Sequence, residues 1–127
     1  MPPSLKTVEE RLHYIQMGGP KTFQLAVTTM SKSCQNVLQN TGYTPDQIRW
    51  VIPHQANERI ISAVADRLNI PQERVYRNVS RYGNTSSASI GICLDELNRS
   101  NQLQRGDMIL TAAFGAGLTW AAELFRW

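Results

Sequence analysis

The chain has 127 residues, of which 42% are apolar and 18% charged, a composition typical of one globular domain rather than a disordered segment. No apolar run approaches the roughly 20 residues that a membrane span requires, and the N-terminus lacks the apolar core of a signal peptide, so a cytoplasmic protein is expected. The net charge of +3 comes from basic residues scattered between Lys6 and Arg126. Because nucleic-acid-binding proteins concentrate basic residues on one face or tail, we expect no nucleic-acid partner.

The cysteines indicate neither a metal site nor a disulfide framework. Cys34 and Cys93 lie far apart in the sequence, without a Cys-x-x-Cys pair or a matching histidine spacing. We therefore expect no metal. The role of each thiol is judged below from its position on the predicted helix that carries it.

The first 12 residues are polar and include a Pro-Pro pair, which predicts a leader or linker over residues 1–12 and a single domain over residues 13–127. Residues 13–17 are expected to form a short extended segment, closed by the glycines and proline that follow. This segment supplies the first of five expected strands.

The period of the apolar residues changes from residue 21 onwards. Apolar side chains recur there at three- and four-residue steps, the pattern of a helix with one buried face. Thr41-Gly42 is expected to end this helix. Cys34 lies on the buried stripe, which favours core packing over reactivity.

A strand–helix unit follows in the middle of the chain. The apolar run over residues 49–53 predicts a strand that leads directly into a helix after His54. Residues 74–79 alternate in character and predict a further strand. The apolar residues of the intervening helix share one side: Ile60, Ile61, Val64, Ala65 and Leu68.

The helix predicted over residues 86–97 has small or apolar residues on every side of its first part. A helix that is apolar all round is buried all round, and its small residues allow a neighbouring backbone to approach closely. Nothing else in the sequence is large enough to surround this helix. A partner surface is therefore expected.

Two strands close the chain. Residues 108–114 form an apolar run that predicts a buried strand, and residues 118–127 return after a glycine-rich turn. A short turn between two strands makes them antiparallel, whereas the earlier strand–helix–strand units require parallel pairing. The expected fold class is α/β, with a mixed five-stranded sheet, its last strand antiparallel, and helices on both faces.

Three junctions between predicted elements carry chemically capable groups: His54 after a strand, Asn84 before a helix, and the turn Gly115-Ala116-Gly117. A neutral imidazole N–H and a carboxamide N–H can together donate two hydrogen bonds to one oxygen. That arrangement stabilises an oxyanion or enolate far better in a dry pocket than in water. The glycine turn would let a backbone N–H approach a second oxygen.

Three stretches at these junctions, in this order and spacing, resemble the C-terminal half of β-ketoacyl-acyl carrier protein synthase III. They are His54–Asn57 with Arg59 behind it, Tyr82–Ile90, and Phe114–Trp120. The resemblance runs from about residue 13 to residue 127. It implies the thiolase fold, in which two similar halves stack as five layers and the helix after the Gly-Asn pair lies in the central layer.

The resemblance also implies roles for individual residues. His54 and Asn84 would bind the malonyl thioester oxygen and stabilise the carbanion formed by decarboxylation. The N–H of Ala116, which replaces a glycine of some members, would help form the oxyanion hole for the acyl-cysteine thioester. Further implied roles are contacts to pantetheine for Gly19, Phe23, Ala56 and Asn57, and docking of the acidic carrier protein for Arg59.

The implied reaction is the decarboxylative Claisen condensation of an acyl-CoA primer with malonyl-acyl carrier protein, which initiates fatty acid biosynthesis. The implied partners are acyl carrier protein and acyl-CoA, with no cofactor beyond the substrates, and the full-length family forms homodimers. The family's nucleophile is a cysteine at the start of a helix in the N-terminal half. Neither Cys34 nor Cys93 has a helix-N-terminal position, which is where a thiol pKa is lowered. The chain alone is therefore expected to be inactive.

Other interpretations remain open at this point. The chain could be a non-catalytic interaction subunit that pairs with a separate Cys-bearing half or with a second copy of itself. It could also belong to a synthase III-like enzyme of polyketide or secondary metabolism. The run His54–Asn57 argues against chalcone and hydroxymethylglutaryl synthases, and Asn84 argues against elongating synthases, which use two histidines.

Overall fold

The computed structural model of the chain describes residues 2–14 and 18–127. Five helices and three strands form in this described part, with two short 3-10 turns at Pro45–Gln47 and Gln72–Arg74. In chain order the elements are α1 (Leu5–Glu9), α2 (Gly19–Thr41), β1 (Trp50–Pro53), α3 (Glu58–Arg67), α4 (Val79–Tyr82), α5 (Ala88–Arg99), β2 (Met108–Gly115) and β3 (Thr119–Arg126).

The sheet is mixed, with strand order β1-β2-β3. β1 pairs parallel with β2, placing Trp50 opposite Ile109. β2 pairs antiparallel with β3, placing Gly115 opposite Thr119 across the turn. The prediction of a mixed sheet whose last strand is antiparallel is confirmed, but the prediction of five strands is wrong, because three strands form in the described part of the chain.

The strand predicted over residues 74–79 is reduced to a single bridge between Val75 and Val51. One backbone hydrogen bond supports it, from the N–H of Tyr76 to the carbonyl of Val51 at 2.9 Å. Beyond Arg77, the backbone N–H groups of Asn78 and Val79 instead donate to the side chain of Gln55. A buried side chain therefore takes the N–H of Asn78, which a longer ladder would have used, and the chain turns into α4.

The other predicted strand that the sheet lacks covers residues 13–17. His13 and Tyr14 lie in a turn, in which the N–H of Tyr14 donates to the carbonyl of Arg11 at 3.3 Å. Residues 15–17 lie outside the described residues. Just upstream, the N-terminus of α1 is capped by a reciprocal pair of hydrogen bonds between Ser4 and Thr7. The division into a leader and a domain at residue 12 stays a prediction.

Helices cover both faces of the sheet because neighbouring residues of each strand point to opposite sides. Val51 and Leu110 face the larger core, which the buried stripes of α2 and α3 complete. Ile52 and Ile109 face a second, smaller core, which Cys93 and Leu97 of α5 complete. The residues of the larger core on the helices are Ala26, Val27, Met30, Cys34, Leu38, Ile60, Ile61, Val64, Ala65 and Leu68.

The two long predicted helices form where their periodicity places them. α2 ends at Thr41, followed by Gly42 in a left-handed conformation, as predicted. α3 begins at Glu58 rather than directly after His54, because the side chain of Asn57 accepts the N–H of Ile60 at 2.9 Å and caps the helix there. Among the described residues, no helix unites the length and the apolar character needed to cross a bilayer.

α5 is buried on one face within this chain. Ser89, Cys93 and Leu97, spaced four residues apart, are its buried residues. Ala88 and Gly91 are exposed, and Ile92 is half-buried and belongs to neither core. The residues that the sequence pattern predicts to be covered on every side are therefore left open on the outer face by the described part of the chain.

The segment between Tyr76 and Tyr82 is fastened to α5 by one carboxylate. Glu96 accepts hydrogen bonds from Tyr76, Asn78 and Tyr82 at 2.8–3.1 Å, and its Oε2 forms an ion pair with Arg81 at 2.8 Å. Burial by itself raises the pKa of Glu96, but the hydrogen bonds and the charge of Arg81 outweigh burial and lower the pKa. The carboxylate thus stays charged at neutral pH and fixes the segment that leads to Asn84.

Candidate active site

The end of β1 places the first site residue. The backbone N–H of His54 donates to the carbonyl of Ala112 on β2 at 2.7 Å, which continues the strand pairing by one residue. Three residues later Asn57 caps α3. His54 therefore lies on a connection that is fixed at both ends, at the carboxyl edge of two parallel strands, where α/β sheets place ligands.

The imidazole of His54 is half-buried, and its Nδ1 lies 2.7 Å from the hydroxyl oxygen of Ser89 on α5. Burial lowers the pKa of His54 from its ordinary value. Since that ordinary value is about 6.5, the ring is uncharged at pH 7. A neutral imidazole with one nitrogen engaged has its other nitrogen available at the site.

The next residue, Gln55, holds two of the three junctions together. Its fully buried side chain donates to the carbonyls of Pro53 and Tyr76 at 2.8 and 3.3 Å and accepts the N–H groups of Asn78 and Val79 at 2.9 and 3.2 Å. All of its donors and its acceptor are thus satisfied. Gln55 ties the end of β1 to the segment that precedes the second junction.

The second junction is a turn at Gly83 and Asn84. Gly83 has φ 69° and ψ −159°, a conformation that is essentially restricted to glycine. Asn84 is exposed, and its Oδ1 accepts the N–H of Ser86 at 2.9 Å. Because a backbone N–H can only donate, the amide oxygen faces Ser86 and the NH2 group faces away. The side chain therefore presents two donors.

The third junction is the turn between β2 and β3. Gly117 has φ 142°, and a Cβ added there would lie 2.9 Å from the side chain of Thr119, so this position requires glycine. The carbonyl of Ala116 accepts the hydroxyl of Thr119 at 3.2 Å. Among the described residues no backbone acceptor is recorded for the N–H of Ala116. Ala116 itself is an exposed residue.

A cleft of about 440 Å³ joins the first and third junctions. Its volume is in the range of small-molecule sites. Among the described residues, His54 is the one titratable side chain that lines it, and the remaining lining is apolar or carries hydroxyl groups. The lining residues are His54, Ser86, Ser87, Ser89, Ile90, Ala113, Phe114, Gly115, Ala116, Thr119, Trp120 and Ala121.

The predicted catalytic residues are thus partly brought together. His54 and Ala116 line the same cleft, whereas Asn84 does not line it and lies two residues before Ser86, which does. The sharing of one oxygen by His54 and Asn84 stays a prediction.

The residues predicted to contact pantetheine and carrier protein lie elsewhere, at the starts of α2 and α3. The guanidinium carbon of Arg59 lies 5.4 Å from the centre of the Phe23 ring. Phe23 and Ala56 pack against the larger core, and Gly19 is exposed at the first residue of α2. Asn57 uses its side-chain oxygen as a helix cap. None of these residues lines the cleft, and their roles stay predictions.

Both cysteines are buried and neither lines the cleft. Desolvation raises the pKa of Cys34 to about 12, and for Cys93 desolvation followed by the charge of Glu96 raises it to about 12. A thiol with such a pKa is protonated at neutral pH and is a poor nucleophile. Within residues 2–14 and 18–127, no three His, Cys, Asp or Glu side chains come together in a way that could hold a metal ion.

Sequence reasoning missed Ser89 and the bridging role of Gln55. In the sequence, Ser89 is one of several small residues in the predicted helix over residues 86–97, and its residue type does not set it apart. A usable signal was its position four residues before Cys93 and eight before Leu97, on the stripe that is buried. A polar side chain on a buried stripe requires a hydrogen-bond partner.

Comparisons with known proteins agree with this architecture. The family model described as 3-Oxoacyl-[acyl-carrier-protein (ACP)] synthase III C terminal matches residues 38–127. The β-ketoacyl-acyl-carrier-protein synthase III of Caldanaerobacter subterraneus subsp. tengcongensis is 50% identical over 127 residues, which is 100% of this chain and 38% of that protein. This chain thus spans well under half the length of that relative.

Solved structures give the same result. The 3-oxoacyl-acyl-carrier-protein synthase III of Aquifex aeolicus has a TM-score of 0.88 at 50% identity, covering 90% of this chain and 37% of that one. The corresponding structure from Pseudomonas aeruginosa has a TM-score of 0.88 at 41% identity, covering 100% of this chain and 39% of that one. The fold of this chain is that of the thiolase-like condensing enzymes. The chain belongs to the β-ketoacyl-acyl-carrier-protein synthase III family and corresponds to its C-terminal part.

Proposed function

We propose that this chain supplies the His/Asn part of a β-ketoacyl-acyl-carrier-protein synthase III active site. The reaction is the decarboxylative condensation of an acyl-CoA primer with malonyl-acyl carrier protein at the start of fatty acid biosynthesis, with no cofactor beyond these substrates. The observation that carries the proposal is the neutral His54 ring beside the Ala116 turn in one cleft. The nucleophilic cysteine is supplied by another half, since Cys34 and Cys93 are buried and protonated.

His54 and Asn84 act on the malonyl thioester. When the bond between the α-carbon and the carboxylate breaks, CO2 leaves and the electron pair moves into the thioester enolate. The His54 ring N–H and the Asn84 side-chain N–H donate to the enolate oxygen, where negative charge develops. Donors that are fixed in advance at such a position lower the barrier, because they need not reorganise during the reaction.

Ala116 acts on the second substrate. The α-carbon attacks the carbonyl carbon of an acyl-cysteine thioester, and the N–H of Ala116 donates to the oxyanion that forms. Collapse of this tetrahedral intermediate releases the cysteine thiolate and the ketoacyl product. The exposure of Ala116, the lack of a backbone acceptor for its N–H among the described residues, and the glycine-restricted turn that carries it support this role.

The starts of α2 and α3 receive the carrier protein in this proposal. Arg59 is exposed and held over Phe23, so a positive charge and an apolar ring occupy one surface. A carrier protein is acidic and bears an apolar pantetheine arm, which complements that surface. Gly19, Ala56 and Asn57 lie at the same helix starts and would line the path of the arm.

A hybrid enzyme tests the proposal. It joins this chain to the N-terminal part of the Caldanaerobacter relative, in place of the 38% of that protein that this chain matches. We expect the hybrid enzyme to form ketoacyl product from acyl-CoA and malonyl-acyl carrier protein. We expect none from the 127-residue chain alone, because without an activated thiol no acyl-enzyme forms.

Mass-spectrometric detection of the ketoacyl product decides the outcome, with the parent enzyme as the positive control. A folded but inactive hybrid enzyme beside an active parent would favour the alternative, a non-catalytic subunit. Product formed by the isolated chain would contradict the assignment of the nucleophile to another half.

A further inference from the structure

The contact between Ser89 and His54 determines which ring nitrogen carries the proton. The hydroxyl oxygen of Ser89 lies 2.7 Å from Nδ1 of His54 and 3.3 Å from the backbone N of Gln55. Ser89 is buried, with 1% of its surface exposed. A buried hydroxyl group must satisfy its hydrogen within the protein or lose the energy of a hydrogen bond.

The Ser89 hydroxyl offers one hydrogen and two lone pairs. The N–H of Gln55 donates to one lone pair. Among the described residues, Nδ1 of His54 is the one acceptor to which this hydroxyl can donate its hydrogen, since the hydroxyl forms no hydrogen bond to a backbone carbonyl. If Nδ1 carried a proton instead, it would take the second lone pair and leave the buried hydroxyl hydrogen without an acceptor.

The two arrangements therefore differ in the number of hydrogen-bonding groups that they satisfy. With Nδ1 as the acceptor, both groups are satisfied and one spare lone pair remains on the oxygen. With Nδ1 as the donor, a buried O–H is unsatisfied, which is the costlier defect. Within residues 2–14 and 18–127, no other charged or titratable side chain lines the cleft, so none of these residues favours the second arrangement.

We propose that Ser89 is a positioning residue that holds the neutral His54 ring in the tautomer with its proton on Nε2. The N–H of His54 then points away from α5 and is free to donate to a substrate oxygen. The catalytic use of this tautomer rests on the proposed function, whereas the tautomer itself follows from the geometry alone. The same contact opposes protonation of the ring, because an imidazolium would have to donate from Nδ1.

Nitrogen NMR of the ring tests this assignment directly. The 127-residue chain contains two histidines, so a sample labelled with ¹⁵N in histidine gives two sets of ring signals. We expect His54 above its pKa to show a protonated Nε2 and an unprotonated Nδ1. His13, whose ring contacts the carbonyl of Thr7 rather than Ser89, provides the internal reference.

Three variants test whether the Ser89 hydroxyl group itself sets the tautomer of His54. Ser89→Ala removes the donor, and we expect the ratio of the Nε2–H to the Nδ1–H form of His54 to fall roughly 2- to 10-fold, the range that one hydrogen bond allows. Ser89→Thr retains the hydroxyl and should restore the ratio. Ser87→Ala removes a hydroxyl from the same cleft that has no recorded bond to His54, and should leave the ratio unchanged.

If Ser89→Ala does not fold, the NMR spectrum of the unsubstituted chain still shows which ring nitrogen of His54 carries the proton. A proton on Nδ1 of neutral His54 would overturn the proposal, as would an unchanged ratio in a folded Ser89→Ala variant. Either result would leave the activity of the hybrid enzyme as a separate question. An inactive hybrid enzyme with the Nε2–H tautomer intact would instead count against the proposed function alone.

Discussion

Replacing Asn84 by aspartate in the hybrid enzyme is expected to lower the rate of malonyl thioester decarboxylation by roughly 10²–10³-fold, the usual effect of losing one oxyanion donor. The substitution is selective. Aspartate can still accept the N–H of Ser86, which fixes the turn in this structure. It lacks the NH2 group that the proposed mechanism needs. Release of CO2 from the malonyl thioester measures the effect.

His54→Ala is expected to reduce the same rate by a comparable factor, because it removes the second donor to the enolate oxygen. Asn36→Asp is the matched control for the charge that Asn84→Asp adds, since Asn36 is exposed on α2, away from the cleft. A folded Asn84→Asp variant that decarboxylates at the unsubstituted rate would remove Asn84 from the proposed mechanism.

The isolated chain is expected to self-associate through the outer face of α5. Ala88 and Gly91 are exposed there and Ile92 is half-buried outside both cores. Full burial of an isoleucine side chain contributes about 1.5–3 kcal/mol. That is a substantial part of the roughly 5–15 kcal/mol by which a domain is stable. Two copies that meet across this face would form an isologous contact.

Sedimentation velocity over a concentration series measures this association. Ile92→Asp should shift the chain to monomer, because the contact would have to bury an unpaired charge. Asn36→Asp places the same charge on an exposed position of α2, which packs on the other side of the sheet, and should leave association unchanged. A well-folded monomer at high concentration, insensitive to Ile92→Asp, would show that the outer face needs no cover. Ile90 is a poorer position for this test, because it lines the cleft and packs against the smaller core.

The elements that periodicity could predict are those whose burial is decided by their own sequence. The stripe of α2 from Ala26 to Leu38 and the apolar runs of β1 and β2 each face a core that a regular repeat reveals. The predicted strand at residues 74–79 failed for a different reason. Its alternation is real, but the side chain of Gln55 takes the N–H groups of Asn78 and Val79, and local patterns do not reveal such a distant partner.

Some residues of the candidate site could likewise be predicted from the sequence, and others could not. His54 and the Ala116 turn could be found from the sequence because each stands at a junction between a strand and the next element. Ser89 could not be assigned, because its partner is 35 positions away and the contact depends on how α5 packs against the end of β1. The outer face of α5 was expected to need a partner, and the described part of the chain indeed leaves it open.

The distance between the two nitrogens proposed to be catalytic tests the shared-oxygen mechanism most directly. A crystal structure of the hybrid enzyme with a non-reactive malonyl thioester analogue would measure it. We expect His54 Nε2 and Asn84 Nδ2 to lie roughly 3–6 Å apart, both within hydrogen-bonding distance of the thioester oxygen. Nitrogens on opposite faces of the sheet, or a thioester oxygen bound by neither, would contradict the assignment of this pair.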